Sequence, residues 1–261
     1  MPPTRKRPRR YDPARTRTAV LAQTQHLVEA VRGLGDDRLS NPAGPRNTTV
    51  RELVAGIAPV VDEVSRGLES PAPARQELTL LEWPSRAGRY ARPDESGPLG
   101  GAALTDLLAR ASARLTAALD EVTDDERLVA TPAGAMRLGD LLVTRCAELV
   151  ARTDDLNTAA GLDVPLDRQA LAAATRLLAD ALAAKAPGAS TEVRVPPFAV
   201  VQCVEGPRHT RGTPPNVVET DPLTWVRLAT GRTDWHTARD TARLSASGER
   251  ADLSALLPLL T

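Results

Sequence analysis

The chain has 261 residues, 42% apolar and 25% charged, a composition typical of a globular protein with one large or two ordinary domains. Its formal net charge is +0, which gives no electrostatic argument for a nucleic acid or an anionic membrane as a partner. Only 2% of the residues are aromatic, so aliphatic side chains must build the core. Cys146 and Cys203 have no paired spacing, which favours a reducing cytoplasm over a disulfide scaffold.

The first eleven residues predict a disordered basic tail. The positive charge at 5–10 is not followed by the apolar stretch that a secretory signal would need. The longest apolar run, at 53–61, is far too short to span a bilayer. We interpret the tail as a solubilising segment; the alternative is an arm that contacts phosphates in an interaction or regulatory protein.

Two local signals mark the starts of the first helices. Asp12 is a suitable N-cap, and Pro13 fits the first helical position because its missing N–H is not needed there. Thr49 and Glu52 form a capping box, which satisfies free backbone donors at the start of a second helix. Pro59 falls within the apolar pattern of that helix, and we expect it to kink the helix there.

Two longer helices are predicted over about 102–121 and about 137–160, each with a broad leucine face. A connection rich in proline, glycine and arginine precedes them, with Trp83 and Tyr90 as candidate anchors. Four helices with one long connection predict a four-helix bundle over 12–162.

The pattern changes after a linker at 161–167. A fifth helix at 167–187 leads into alternating, β-branched segments that predict short strands, with a break at Pro196–Pro197. The end of the chain, 249–260, predicts a short helix that could cover a pocket as a lid. Residues 167–261 therefore predict an α+β domain with helices on one face of a mostly antiparallel sheet.

Specific stretches resemble known families. The segments TTVRELVAGIAPVVDEV and MRLGDLLVTRCAELVARTDDL resemble the second and fourth helices of the mycothiol-dependent maleylpyruvate isomerase type of DinB-like bundle. The segment that begins VRVPPFAVVQCVEG and ends LSALLPLL is similar to the sterol-carrier-protein-like domains that follow such bundles in actinobacterial proteins. The resemblance covers nearly the whole chain after residue 11.

The resemblance implies a divalent metal held by a histidine of the second helix and by a glutamate and a histidine four residues apart on the fourth. In this chain these positions are Gly56, Glu148 and Arg152. Glycine has no side chain, and a guanidinium has donors only, so neither can ligate a cation. We therefore expect a bundle that lacks its metal ligands and uses no cofactor. We expect Glu148 and Arg152 to form an ion pair of about 0.3–0.5 kcal/mol instead.

The polar segment VEGPRHTRGTPPNVVETDPLTW holds the remaining candidate site. Arg208, His209 and Arg211 could line a rim that binds a carboxylate or phosphate headgroup, with Glu205 and Glu219 beside them. The apolar part of such a ligand would enter between the sheet and its helices.

Two alternatives stay open for this segment. Cys203 could act as a nucleophile with His209 as its base, although its place in an apolar strand favours an inert core thiol. The segment could equally be a hairpin connection whose arginines pair with Glu205, Glu219 and Asp221.

Sterol-carrier-like domains are known for a cavity that takes apolar molecules. The resemblance therefore implies non-catalytic binding or transfer of an apolar small molecule, such as a lipid or an acyl conjugate, in the cytoplasm. The first alternative is a mycothiol-dependent isomerase or transferase with altered metal ligands, and the second is an interaction or regulatory protein. The missing ligands favour a binding protein over an enzyme.

Overall fold

The computed structural model describes residues 9–43, 48–87, 99–206 and 215–260. Its first part is a four-helix bundle, in which α1 contacts α6 and α7, and α4 contacts the same two helices from the other side. The helices are α1 Pro13–Arg32, α2 Asp36–Leu39, α3 Val50–Ala55, α4 Ile57–Glu69, α5 Pro84–Ala87, α6 Gly101–Glu121 and α7 Leu138–Ala160. Two short antiparallel pairs flank them: β1 Pro42–Ala43 with β2 Thr48–Thr49, and β3 Leu128–Val129 with β4 Met136–Arg137.

The predicted helix starts are confirmed. The Asp12 side chain accepts a hydrogen bond from the Arg15 backbone N–H at 3.0 Å, and Pro13 occupies the first turn of α1. The Thr49 and Glu52 side chains form both hydrogen bonds of the capping box at the start of α3.

The disturbance that Pro59 predicts in the second helix is present as a break between two helices. The break lies three residues earlier, at Gly56, where α3 ends and α4 begins. Pro59 consequently falls in the first turn of α4, where a backbone N–H would have no partner within the helix. The acceptor that an N–H at position 59 would use is the Ala55 carbonyl, at the end of α3, so the break at Gly56 lies where Pro59 removes a helical hydrogen bond.

The C-terminal part is a small α/β layer. Its four-stranded sheet has the order β6-β5-β7-β8, in which β5 and β7 are parallel and the other two pairs are antiparallel. The prediction of a mostly antiparallel sheet is confirmed. The elements are α8 Arg168–Lys185, β5 Thr191–Val195, β6 Ala199–Cys203, β7 Val217–Thr220, α9 Pro222–Ala229, α10 Trp235–Asp240 and β8 Leu244–Ser247.

The predicted C-terminal helix is wrong. Only Ser254–Leu256 form a single 3₁₀ turn. Pro258 follows two residues later, and its ring and missing N–H prevent the helix from continuing. The chain instead runs on in an irregular path, and the N–H groups of Leu259 and Leu260 donate to the Ala229 carbonyl at 2.8 and 3.2 Å.

Helix α8 belongs to the core of both parts of the molecule. It packs on α1 and α7 of the bundle and on β6 and α9 of the α/β layer. Its alanines allow this close approach on two sides, because small side chains let neighbouring backbones come near. The buried ones are Ala170, Ala172, Ala173, Ala174, Ala179 and Ala181. Within the described ranges, no helix combines the length and apolarity needed to cross a bilayer.

Candidate functional site

A buried arginine lies at the centre of the bundle's charged cluster. The Arg145 side chain is only 3% exposed, and it donates to the Glu63 carboxylate at 3.2 Å and to the Glu148 carboxylate at 3.3 Å. Burial opposes the charge of Arg145, but the two carboxylates outweigh it and raise the pKa of the guanidinium. This arrangement connects α4 to α7.

Arg152 lies about two turns further along α7 than Arg145 and is held much less firmly. The expected ion pair with Glu148 is present but long, because Nε of Arg152 is 4.0 Å from the Glu148 carboxylate. Glu148 makes its shorter contact with Arg145 instead. Burial lowers the pKa of Arg152; Glu148 and Asp155 oppose this effect, whereas Arg232 and Arg145 add to it.

The place of the implied metal does not fit a metal ion. A Cβ atom built on Gly56 would lie 3.0 Å from Nη1 of Arg152, so the guanidinium occupies the space into which a side chain at this position would extend. A guanidinium there has no lone pair to offer and would repel a cation. The described part of the chain contains no group of three or more His, Cys, Asp or Glu side chains placed to hold a metal.

Two ion pairs attach the C-terminal domain to α7 beside this cluster. Arg227, in α9, donates two hydrogen bonds to Asp154 at 2.7 and 2.6 Å. Arg232, in the loop after α9, binds Asp155 in the same way at 2.7 and 2.6 Å. Two parallel hydrogen bonds fix each guanidinium in the plane of its carboxylate. Arg232 is thereby held near Arg152, at the junction between the two domains.

A second candidate region is one end of the α/β layer. Strands β5 and β7 begin there, β6 ends there, and α8 and α9 both finish there. The C-terminal cover, defined as residues 251–260, crosses this end. Lys185, in the last turn of α8, donates to the Leu256 carbonyl at 2.7 Å, and the Leu259 N–H reaches the end of α9.

Three predicted rim residues, Arg208, His209 and Arg211, lie outside the described residues, and their role stays a prediction. Glu205 lies at the same end of the layer as the C-terminal cover. Its carbonyl accepts a hydrogen bond from Nη1 of Arg250 at 3.2 Å. The described start of this segment is therefore attached to the chain just before the cover.

Glu219, the fifth predicted rim residue, lies elsewhere. It is on the outer face of β7, where its half-exposed carboxylate is 3.9 Å from the Arg194 guanidinium. With Ser245 and Ser247 of β8 it lines a shallow depression on that face. The structure therefore does not bring Glu219 together with Glu205.

The side chains on the inner face of the sheet fill the layer between the sheet and its helices. Trp225 is fully buried, and its indole N–H donates to the Thr175 carbonyl of α8 at 3.3 Å. Cys203 is also buried in this layer, and burial raises the pKa of its thiol to about 11. Such a thiol is protonated at neutral pH, which supports the inert core thiol and argues against a nucleophile. The other inward side chains of the sheet are Val193, Val195, Val201 and Val218.

The sequence did not lead us to the partners of Glu148 and Arg152. Arg145 could have been found, because it continues the buried spacing between Leu141 and Leu149 on α7. Arg232 could not, because its carboxylate partner lies 77 residues earlier in the chain.

A helical bundle and a small α/β layer that share one helix define a two-domain protein with a charged junction. Family comparison assigns both parts. The model described as mycothiol maleylpyruvate isomerase N-terminal domain matches residues 20–157, and the model described as bacterial SCP ortholog matches residues 167–259. The first match covers more than half of the chain, and the chain belongs to the mycothiol maleylpyruvate isomerase N-terminal domain family.

The fold has solved relatives. The crystal structure of a mycothiol-dependent maleylpyruvate isomerase matches with a TM-score of 0.58 and 17% sequence identity, and the match covers 93% of this chain and 95% of that one. A histidine-to-alanine mutant of that isomerase matches with a TM-score of 0.57 at the same identity and coverage. At this identity the likeness shows the fold alone. No curated protein matches the chain.

Proposed function

We propose that this protein binds an apolar small molecule, such as a lipid or an acyl conjugate, in the cytoplasm, and that it performs no metal-dependent catalysis. The observation that carries the second part of the proposal is the guanidinium of Arg152 against Gly56, at the two positions where the family resemblance implies histidine ligands. Without those ligands the bundle serves as a scaffold for the C-terminal domain.

The C-terminal domain supplies the apolar surface for such a ligand. It matches the bacterial SCP ortholog model, and the side chains packed between its sheet and α8 are mostly aliphatic. Apolar surfaces with a few polar groups at the mouth are the usual binding sites for small molecules. At the end of this layer, Glu205 and Arg250 are polar groups of that kind.

The C-terminal cover provides a route into the layer. It has one short 3₁₀ turn, and few backbone hydrogen bonds, including those to Ala229, hold it in place. Segments with few such bonds open at a lower free energy than helices and strands of the core. Movement of the cover would expose the apolar side chains beneath it, such as Leu253, without unfolding the sheet.

Two neighbouring valines of β6 allow a direct test. Val201 faces the layer between sheet and helices and is 7% exposed, whereas Val200 faces outward and is 59% exposed. The full-length protein should be purified, extracted with organic solvent and analysed by mass spectrometry for co-purified lipid. Binding of a fluorescent fatty acid, anthroyloxy-stearate, should then be titrated with the wild type, V201F and V200F.

We expect the wild type and V200F to bind the probe alike and V201F to bind it at least tenfold more weakly, because the larger ring fills the layer. Overpacking costs about 1–3 kcal/mol, so thermal unfolding must show that V201F is folded. If V201F does not fold, V201L gives a smaller change in volume. Equal binding by V200F and V201F, or no binding by the wild type, would contradict the proposal.

The second part of the proposal, that the protein performs no metal-dependent catalysis, needs its own experiment. The wild type should be incubated with zinc, dialysed and analysed for bound metal beside the double variant G56H/R152H. We expect zinc to bind the double variant but not the wild type, because the variant supplies two histidines near Glu148. Stoichiometric zinc in the wild type would favour a mycothiol-dependent enzyme with altered ligands.

A further inference from the structure

Arg152 differs from the other arginines at the domain junction. Arg145 and Arg232 each have a carboxylate oxygen within 3.3 Å. Arg232 donates two hydrogen bonds to its carboxylate partner, Asp155. Arg152 has only Glu148, at 4.0 Å. Among the described residues, no side chain or carbonyl accepts a hydrogen bond from the Arg152 guanidinium.

The guanidinium of Arg152 is packed on one side and open on the other. Its Nη1 lies against Gly56, at the junction of α3 and α4. The side chain is nevertheless 28% exposed, so solvent reaches it. Arg232 belongs to the C-terminal domain and is bound by the Asp155 carboxylate of α7. It lies close enough to disfavour the positive charge of Arg152.

We propose that Arg152 is the anion-binding residue of a site at the domain junction, and that its ligand is a small molecule with a carboxylate group. Five N–H groups in a planar fork match the two oxygens of a carboxylate. The site differs from the apolar layer of the C-terminal domain, and neither depends on the other.

The charges around Arg152 select the ligand's charge. Two carboxylates, Glu63 and Glu148, face two guanidinium groups, Arg145 and Arg152, so this group is neutral in total. The pair formed by Arg232 and its aspartate adds no net charge. A singly charged carboxylate needs only the one incompletely paired guanidinium, whereas a phosphate dianion would add a second negative charge beside Glu148. The arrangement therefore favours a carboxylate over phosphate.

A purely packing role for Arg152 makes a different prediction. If the side chain only covers Gly56, its replacement changes the free energy of unfolding and leaves ligand binding unaffected. If it binds an anion, replacement by neutral glutamine removes binding at little cost in stability, because the pair with Glu148 at 4.0 Å is loose and partly exposed to solvent.

The test uses the full-length protein with benzoate as the probe. Ligand-observed NMR measures the binding of benzoate. Benzamide serves as the neutral isostere and inorganic phosphate as the doubly charged competitor. The variants are R152Q, R152K and the control R137Q, whose exposed arginine lies at the start of the same helix and pairs with Glu126 at 3.3 Å.

We expect the wild type and R137Q to bind benzoate alike, and R152Q to bind it at least tenfold more weakly. R152K should fall between them, because an ammonium keeps the charge but loses the planar fork. Benzamide should not bind. Equal binding by the wild type and R152Q, or no benzoate binding by the wild type at millimolar concentration, would overturn the proposal, and tighter binding of phosphate would overturn the preference for a single charge. V201F should leave benzoate binding unchanged, which separates this site from the apolar layer.

Discussion

The bundle and the α/β layer each have a place where a ligand would be expected, and the two places are filled in different ways. In the bundle a charged group, the guanidinium of Arg152, occupies the space beside Gly56. In the α/β layer apolar side chains around Trp225 occupy the space between the sheet and α8. A missing metal ligand is a chemical change that no motion restores, whereas apolar packing can rearrange around an apolar guest. The comparison therefore favours the layer as the place for an apolar molecule and the junction as the place for an anion.

The largest effect is expected inside the α/β layer. Trp225 is fully buried, so W225A should lower the free energy of unfolding by about 3–5 kcal/mol. Urea unfolding followed by circular dichroism measures this loss. V200A, on the outer face of the same sheet, is the control and should change it by less than about 0.5 kcal/mol. A loss below about 1 kcal/mol for W225A would mean that the layer is loosely packed.

Replacement of the buried Arg145 in the bundle should give the next largest effect. R145M leaves the Glu63 and Glu148 carboxylates close together without their shared cation. Removal of one partner of a buried pair costs about 3–5 kcal/mol, and partial exposure of both carboxylates should reduce this to about 2–3 kcal/mol. The triple variant E63Q/R145M/E148Q should recover part of the loss. If it is no more stable than R145M, repulsion between the carboxylates is not the cause.

The two ion pairs at the domain junction provide a matched comparison. Asp154 is 7% exposed, whereas Asp155 is 29% exposed, and both bind an arginine of the C-terminal domain. D154N should lower the free energy of unfolding by about 1 kcal/mol and D155N by about half as much, because water screens the more exposed pair. Chemical unfolding at low and high salt measures both changes. A larger loss for D155N would contradict this ranking.

The smallest effect concerns the two thiols. Burial raises the pKa of Cys203 to about 11 and that of Cys146 further, so the folded protein holds both thiol protons at pH 8. Neither cysteine should react quickly with iodoacetamide at that pH, and reaction should increase as the pH approaches 11. Cys203 should be labelled before Cys146, because it lies at the end of β6 near the C-terminal cover. Peptide mass spectrometry over time measures the order.

The reverse order would indicate that the bundle opens more readily than the layer. A bound fatty acid probe should further slow the labelling of Cys203 alone. Equal protection of Cys146 would mean that the probe stabilises the whole protein rather than the layer.

Much of the fold could be predicted because its signals are local. The N-cap at Asp12 and the capping box of Thr49 and Glu52 act within one helical turn, so neighbouring residues suffice to detect them. The effect of Pro59 is also local, because its missing N–H removes the hydrogen bond to the Ala55 carbonyl, at the end of α3. The chain end was misjudged because its apolar pattern is typical of a helix, whereas only Ser254–Leu256 form a single 3₁₀ turn.

The sequence by itself determined that Gly56 and Arg152 stand where metal ligands would be needed, because the chemistry of a side chain does not depend on the fold. Only the tertiary structure decided what surrounds them. Arg232 is brought to Arg152 from 80 positions away by the ion pair with Asp155, and no local pattern encodes such a contact. It also decided that Glu219 lies on the outer face of β7 beside Arg194, because the register of β7 with β5 assigns each residue to one face of the sheet.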